Sequence, residues 1–257
     1  MARANKHIAR KFTRSKVLVN MSASVKVVLQ ARMSSTRLPG KVLLKINNEP
    51  MIYWQIHRIL QSKKINELVV AISDDASDDV LADYLNSINQ KLVRGSLHNV
   101  LDRFLKVEET YKSQVTIRLT ADCPLVMPEL IDQFIVVFLN SNADYLSNTI
   151  EPSYPDGLDI EIFRPRALEQ LSSLQISDLE KEHVTLGIIN RKEKFKLMGF
   201  QNDSNLSHFR WTVDTKRDFE FVSMIYQNFK NQELTFNLSD LLGFFRRFPD
   251  LNQIFYR

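Results

Sequence analysis

Residues 25–29 form an apolar run interrupted only by Lys26. That is the pattern of a strand covered on both faces. Behind Pro50, which opens a helix without losing a hydrogen bond, Ile52, Ile56, Ile59 and Leu60 return at helical spacing. The alternation continues with a buried strand over 67–73 and a helix marked by Val80, Leu81, Tyr84, Leu85 and Ile88. A short strand over 91–93 precedes a helix carrying Val100, Leu101, Phe104, Leu105 and Val107. A strand over 115–119 precedes a helix from Pro128 with Leu130, Ile131, Phe134, Ile135 and Phe138 on its apolar face. Strands alternating with helices in this way predict an α/β fold of parallel βαβ units with right-handed crossovers.

From about residue 143 the rhythm changes. Residues 144–147, 158–163, 195–200 and 208–213 read as strands, with a turn-rich loop over 153–157 and a helix over 165–174. Ser177-x-x-Glu180 is a capping box opening a helix that contains Glu182 and His183. Phe219, Val222, Tyr226 and Phe229 mark a last regular helix. The aromatic-rich residues 241–256 are expected to pack on the body or on a second subunit. Ligands of parallel sheets bind beyond the carboxyl ends of the strands. The loop after the first strand, the Asp74-Asp75 pair, Arg94-Gly95-Ser96 and Asp122 all fall at that edge, which argues for one site.

The 257 residues suit one α/β domain with a small appendage. No apolar run reaches the roughly 18 residues of a membrane span. Cys123 is the only cysteine, so neither an internal disulfide nor a thiolate metal cluster is available, and a reduced, cytoplasmic setting is expected. The net charge of +4 is unevenly placed. Arg3, Lys6, Arg10, Lys11, Arg14 and Lys16 contribute +6 within residues 1–24, which hold no acid, so the body carries −2. A body of that charge is not a nucleic-acid binder of the usual basic kind. Residues 1–24 read as a basic, disordered extension ahead of a domain over 25–257, with Met21 as an alternative start. An electrostatic anchor and a transit-like peptide are the other readings of the same composition.

The candidate chemistry begins in the loop after the first strand. It sets Arg32, Arg37 and Lys41 around Ser34, Ser35, Thr36 and a Pro39-Gly40 turn. Small residues let the backbone approach a ligand, and fixed cations meet the dense negative charge of a polyphosphate. An exposed basic loop is the other reading. Asp122 and Asp214 each follow a strand. Two hard oxygen ligands projecting to one edge beside phosphate-holding cations suit Mg²⁺, although a strand-end Asp also serves as a turn or cap residue.

The motif A-R-x-x-S-T-R-L-P-G-K over 31–41 resembles the signature of the CMP-sugar synthetases, cytidylyltransferases that activate acidic sugars. The segments Asp122-Cys123-Pro124-Leu125 and Val213-Asp214-Thr215, the latter followed by Asp218-Phe219-Glu220, resemble that family's metal-binding stretches. Arg94-Gly95-Ser96, Val100-Leu101-Asp102-Arg103, Asp156-Gly157-Leu158-Asp159-Ile160-Glu161 and Glu182-His183-Val184-Thr185 match the SpsF-type branch, named for spore coat polysaccharide synthesis. The matches run in order from about residue 25 to 230.

The resemblance implies a mostly parallel, Rossmann-like sheet of the nucleotide-diphospho-sugar transferase type with a small β-rich extension. It also implies CTP and an acidic sugar as substrates, Mg²⁺ as cofactor, pyrophosphate as product and a homodimer. Catalysis falls to Arg32, Arg37, Lys41, Asp122 and Asp214, with Asp122 and Asp214 as metal ligands. Nucleotide contacts fall to Leu29, Ala31, Arg32, Ser35, Lys41, Ser73, Arg94, Gly95 and Ser96. The sugar falls to Asp156, Asp159, Glu161 and His183. Cys123, Trp54 and Trp211 read as packing residues.

Two departures stand out. Leu97-His98-Asn99 replaces residues that are usually acidic, and Leu186-Gly187 replaces the usual Pro-Tyr. A glycosyltransferase consuming a nucleotide-sugar, or a non-catalytic nucleotide-binding relative, would use the same sheet edge. Because the tail lacks acid and apolar periodicity, deleting residues 1–20 is expected to preserve both melting temperature and turnover. A large drop in either would show that the tail packs on the body.

Overall fold

In the computed structural model, which describes residues 23–248, the first apolar run becomes strand β1 (Val25–Gln30). The readings of the tail before residue 23 and of the chain beyond residue 248 lie outside the described residues. Ser24 already belongs to the body, since its hydroxyl accepts the Gln114 N–H at 3.0 Å. The hairpin β2 (Lys45–Ile46) and β3 (Glu49–Pro50) turns through Asn47 and Asn48, both at positive φ, and leads into helix α1 (Met51–Ile59). Asparagine tolerates that left-handed backbone better than most residues, which suits a two-residue hairpin. Then follow β4 (Glu67–Ser73), α2 (Asp79–Ser87), β5 (Leu92–Gly95), α3 (Val100–Thr110), β6 (Val115–Thr120) and α4 (Pro128–Leu139).

The second half adds β7 (Tyr145–Ser147), β8 (Glu161–Phe163), α5 (Pro165–Ser172), α6 (Asp178–Glu182), α7 (Leu186–Ile189) and β9 (Leu197–Gly199). Helices α8 (Lys216–Asn228) and α9 (Leu238–Arg247) complete the described chain. The seven-stranded sheet has the order β5-β4-β1-β6-β8-β7-β9. Strand β1 pairs in parallel with β4 and β6, while β8 pairs antiparallel with both β6 and β7. The fold is therefore α/β and mostly parallel. The strands expected in the extension join the central sheet, and the small second sheet is the β2–β3 hairpin.

Burial follows the two-residue period of the strands. Val25, Val27 and Leu29 face a core shared with α1, α2, α4, α8 and α9, whereas Val28, Val69 and Ala71 face α3, α5 and α7. Lys26, buried on that second face, gives its ammonium to Glu108 at 2.8 Å and to the Tyr111 carbonyl. Phe244 and Phe245 of α9 lie in the first core, so the aromatic end packs on the body as far as it is described.

Two local expectations change in space. The capping box of Ser177 and Glu180 is present, but α6 ends at Glu182 and His183 is its cap. One turn is all that forms before Val184 takes a positive φ. Among the described residues, 208–213 belong to no named strand, and Arg210 meets the chain at Asp156 through an isolated parallel bridge. Gly157 makes that bridge possible. At φ 104, a Cβ on it would sit 2.7 Å from the Trp211 carbonyl carbon.

Both the left-handed φ and the close approach need glycine. Gly157→Ala is expected to cost about 1–3 kcal/mol, read as a lower urea midpoint with an unchanged far-UV spectrum. A midpoint equal to wild type would show that the 210–214 segment can shift aside freely.

Candidate active site

The loop after β1 is held from below by a carboxylate on the neighbouring crossover. Asp78 is fully buried. It accepts the Met33 N–H at 2.6 Å on one oxygen, and the Ser73 N–H at 2.9 Å and hydroxyl at 2.5 Å on the other. Ser35 N and Gly40 N both donate to the Met33 carbonyl at 2.9 Å, which closes the loop on itself. Gly40, at φ 69, then turns the chain into the 3-10 turn Lys41–Leu43. The Asp74-Asp75 pair is exposed, and the buried Asp78 anchors the loop.

Lys41 leaves that turn pointing into the protein. Its ammonium donates to the Val213 carbonyl at 2.6 Å, to Asp214 Oδ1 at 3.2 Å and to Asp122 Oδ2 at 3.3 Å. The two strand-end carboxylates therefore share one cation. The Val213 N–H donates to the Asp122 carbonyl at 2.8 Å, which locks the two segments side by side. Thr120 gives its hydroxyl to Asp122 Oδ1 at 2.7 Å. Burial disfavours the charge on Asp122, but the Lys41 ammonium and the Thr120 hydroxyl outweigh it and hold the carboxyl below its usual range.

Asp214 Oδ2 receives Arg37 at 2.9 Å and Arg210 at 2.6 Å. A cavity of about 240 Å³ opens here, walled by Gln30, Ala31, Arg32, Ser35, Arg37, Lys41, Thr120, Asp122 and Asp214 among others. Arg32 and the side chain of Arg37 are exposed at its rim.

The donor set suits a hard divalent cation. Two carboxylates turn toward one point beside exposed cations. Among the described residues no group of three or more His, Cys, Asp or Glu is gathered for a metal. Mg²⁺ is commonly held by one or two carboxylates, with phosphate oxygens and water completing its shell.

A second hollow of about 460 Å³ adjoins the first through Thr120. Asp159, Glu161 and His183 line it together with Arg118, Thr149, Thr185 and Leu186. Asn148 bonds both the Leu158 carbonyl at 2.8 Å and the Ile160 N–H at 2.9 Å, which fixes the backbone on either side of Asp159. Glu161 is buried and paired with Arg118. It also accepts the Tyr145 hydroxyl at 2.7 Å and the Thr185 hydroxyl. Burial opposes its charge, yet Arg118 and these hydroxyls keep its carboxyl below the usual range. Arg118 in turn donates to Gln30 Oε1 at 3.0 Å and 3.2 Å, so the walls of the two hollows are joined.

The structure does not bring every sequence candidate to these hollows. Leu29 is a core side chain, and Ala31 rather than Leu29 reaches the first cavity. Ser73 spends its hydroxyl on Asp78. Arg94 donates to the Ser73 and Asp75 carbonyls, each at 3.0 Å, and pairs with Asp79 at 2.7 Å. Gly95 lies against Arg103, where a Cβ would stand 3.2 Å away, and the Ser96 hydroxyl caps the Asn99 N–H at 3.0 Å. These three residues shape the β5–α3 turn. Asp156 faces Arg210 at 3.9 Å and is outside the residues that line the second hollow. Glu161 sits in that hollow's wall, with its oxygens already bonded.

Of the two departures, Asn99 caps α3 by accepting the Asp102 N–H. Gly187 lets α7 approach α5, since a Cβ there would meet Leu171 Cδ1 at 2.7 Å. Burial pushes the Cys123 thiol well up, as befits a packing residue. Sequence reasoning missed Arg118, Arg210 and Asp78. The one available signal was a charged residue inside the apolar strand V-T-I-R-L-T.

Comparison with known proteins places these features among relatives. A family model described as cytidylyltransferase matches residues 26–256. The spore coat polysaccharide biosynthesis protein SpsF of Bacillus subtilis is 36% identical over 230 residues, which cover 87% of this chain and 94% of that protein. A 3-deoxy-manno-octulosonate cytidylyltransferase of Leptospira biflexa is 35% identical over 114 residues, 44% of this chain and 45% of its own length. The solved structure of a cytidylyltransferase from Leptospira borgpetersenii superimposes with a TM-score of 0.84 at 30% identity, covering 90% of this chain and 97% of that one.

Lys41→Met leaves Asp122 and Asp214 facing one another without the shared ammonium. At pH 7 the loss is expected to be about 1–3 kcal/mol. In the wild type, Asp122 has a folded pKa below its unfolded value. Its contribution is therefore present above about pH 4 and is lost as pH falls through the folded value. Lys41→Met should flatten that acid limb in urea unfolding curves. An unchanged limb would show that Lys41 does not set the ionisation of Asp122.

Proposed function

The chain belongs to the cytidylyltransferase family, and we propose that it transfers CMP from CTP to an acidic sugar with release of pyrophosphate. The setting proposed is surface polysaccharide biosynthesis, in the cytoplasm, by a homodimer. The observation that carries this reading is the Lys41 ammonium shared between Asp122 and Asp214 at a cavity whose other wall is the basic loop. The sugar acid is supported by the activity named for the Leptospira biflexa relative and by the second hollow beside the first. No helix among the described residues is long and apolar enough to cross a membrane.

In this reading Arg32, Arg37 and Lys41 hold the triphosphate. Arg32 and Arg37 stand at the rim, where a guanidinium fork can meet phosphate oxygens. Gln30 and Ala31 line the cavity, where their backbone would offer the base a fixed edge. Asp122 and Asp214 would hold Mg²⁺, which when bound supplies charge neutralisation on the phosphates.

The acceptor lies in the second hollow among Asp159, Thr185 and His183. One of its hydroxyl oxygens attacks the α-phosphorus and loses its proton, and the bond from that phosphorus to the β-bridging oxygen breaks. No protein nucleophile takes part. Positioning two substrates on a rigid sheet edge and stabilising charge there supply the acceleration.

A pyrophosphate-release assay crossing four nucleoside triphosphates with a panel of sugar acids tests the reading. Signal with CTP and at least one sugar acid is expected. Silence across the panel despite Mg²⁺–CTP binding would overturn it in favour of a non-catalytic binder. Asp122→Asn and Asp214→Asn are each expected to lose roughly two to four orders of magnitude in turnover. The double variant should lose far less than the product of the two, because both act through one ion. Near-wild-type turnover in either single variant, at limiting Mg²⁺, would remove that residue from the site.

A further inference from the structure

Asp214 is held by three cations of different character. Lys41 takes Oδ1, the oxygen that shares the ammonium with Asp122. Arg37 and Arg210 both take Oδ2. Arg37 comes from the basic loop with a side chain 63% exposed, so it is free to exchange partners when an anion arrives. Arg210 is different. Its side chain is 24% exposed and its guanidinium is fixed from two further sides, by Asp218 Oδ1 at 2.9 Å and by Asp156 at 3.9 Å.

Asp218 also fixes the backbone on which Asp214 stands. Its Oδ2 accepts the N–H of Asp214 at 2.9 Å, the N–H of Thr215 at 2.7 Å and the Thr215 hydroxyl at 2.9 Å, as the acidic member of the α8 capping box. The bridge between Asp156 and Arg210 ties the other end of the segment to the chain at Gly157. One carboxylate thus fixes the backbone of Asp214, and of the two guanidiniums on its Oδ2 Arg210 is the less exposed.

We propose that Arg210 is a positioning residue for the metal site: by holding Asp214 Oδ2 it keeps Oδ1 turned toward Asp122, so that the pair is ready to receive a divalent cation together with the nucleotide. This rests on the function proposed above. Asp156, which the family resemblance assigned to the sugar, acts here as a side support of Arg210. The effect runs against simple electrostatics. A guanidinium beside a metal ligand repels a cation, so a residue acting by charge alone would weaken metal binding, and its removal would strengthen it. A residue acting by orientation gives the opposite sign when removed, because a free carboxylate rotor must be ordered anew at each binding event.

The test is Mn²⁺ uptake in the presence of CTP, followed by the electron paramagnetic resonance of the free ion, on wild type, Arg210→Gln and Arg210→Lys. Melting temperatures are recorded in parallel, and uptake is measured well below them. Arg210→Gln is expected to weaken Mn²⁺ uptake at least tenfold although a positive charge has been removed. Arg210→Lys, which keeps a donor for Asp214 but loses the fork, should fall between the two. If Arg210→Gln does not fold, the intermediate loss in Arg210→Lys carries the test, and wild-type uptake there overturns the proposal. Equal or tighter uptake in a folded Arg210→Gln overturns it as well. Wild type that takes up no Mn²⁺ with CTP overturns the proposed function and this inference together, whereas normal wild-type uptake with unchanged variants overturns this inference alone.

Discussion

One ammonium group ties the site together. Lys41 comes from the loop after β1, Asp122 from the end of β6 and Asp214 from the turn before α8. They are separated by 81 and 173 residues from Lys41 along the chain. Ordering three such segments costs backbone entropy that no local pattern returns, so the shared charge and the parallel pairing of β1 with β6 must supply it. Pairing alone would bring the carboxylates near each other and leave them repelling. With Lys41 between them, the two side chains share one cation in a partly buried place, and the Asp122 carboxyl is held below its usual range. The same arrangement sets side by side the two carboxylates that the proposed divalent cation would use.

The neighbouring hollow is built on another principle. Arg118 and Glu161 lie opposite each other in the β6–β8 register and neutralise one another beneath it. Tyr145, Thr185 and Gln30 add further hydrogen bonds to that ion pair. A buried pair of this kind contributes little net stability, but breaking it leaves an uncompensated charge. Its effect is to fix the wall's shape. The first cavity presents charges that can change partners, while the second presents charges already committed. That difference is what the proposed function asks of the two hollows: a polyanion that arrives and leaves in one, and in the other an acceptor whose hydroxyl stands in one place.

Much of this was legible in sequence where information is local. Apolar periodicity located β1, β4, β6 and the helices between them, and the capping box at Ser177 and Glu180 formed as the residues suggested. The motif around Lys41 and the strand-end positions of Asp122 and Asp214 pointed to one edge of the sheet. Illegible were the parts that depend on which strand lies beside which. Nothing in 158–163 says that β8 inserts between β6 and β7, so nothing announced that Glu161 would meet Arg118. Arg210 sits in a stretch that resembles a strand, and its role is set by a bridge to Asp156 across more than fifty residues. Asp78 was overshadowed by the Asp74-Asp75 pair because sequence cannot distinguish the aspartate that turns inward.

The reversal of β8 reaches beyond the sheet. In a parallel sheet each strand delivers its residues to the ligand edge on leaving the strand. Because β8 runs the other way, the chain meets that edge before the strand begins, through Asn148, the Gly157 turn and Asp159. The wall of the second hollow is thereby written largely in one interval, residues 148–186, while the wall beside the basic loop comes from the ends of β1 and β6 and the turn before α8. Inheritance can act on these intervals separately. Altered chain in the first can re-cut the second hollow while Lys41, Asp122 and Asp214 go on meeting as before. A scaffold divided in this way lets the shape of one hollow change without disturbing the charges of the other.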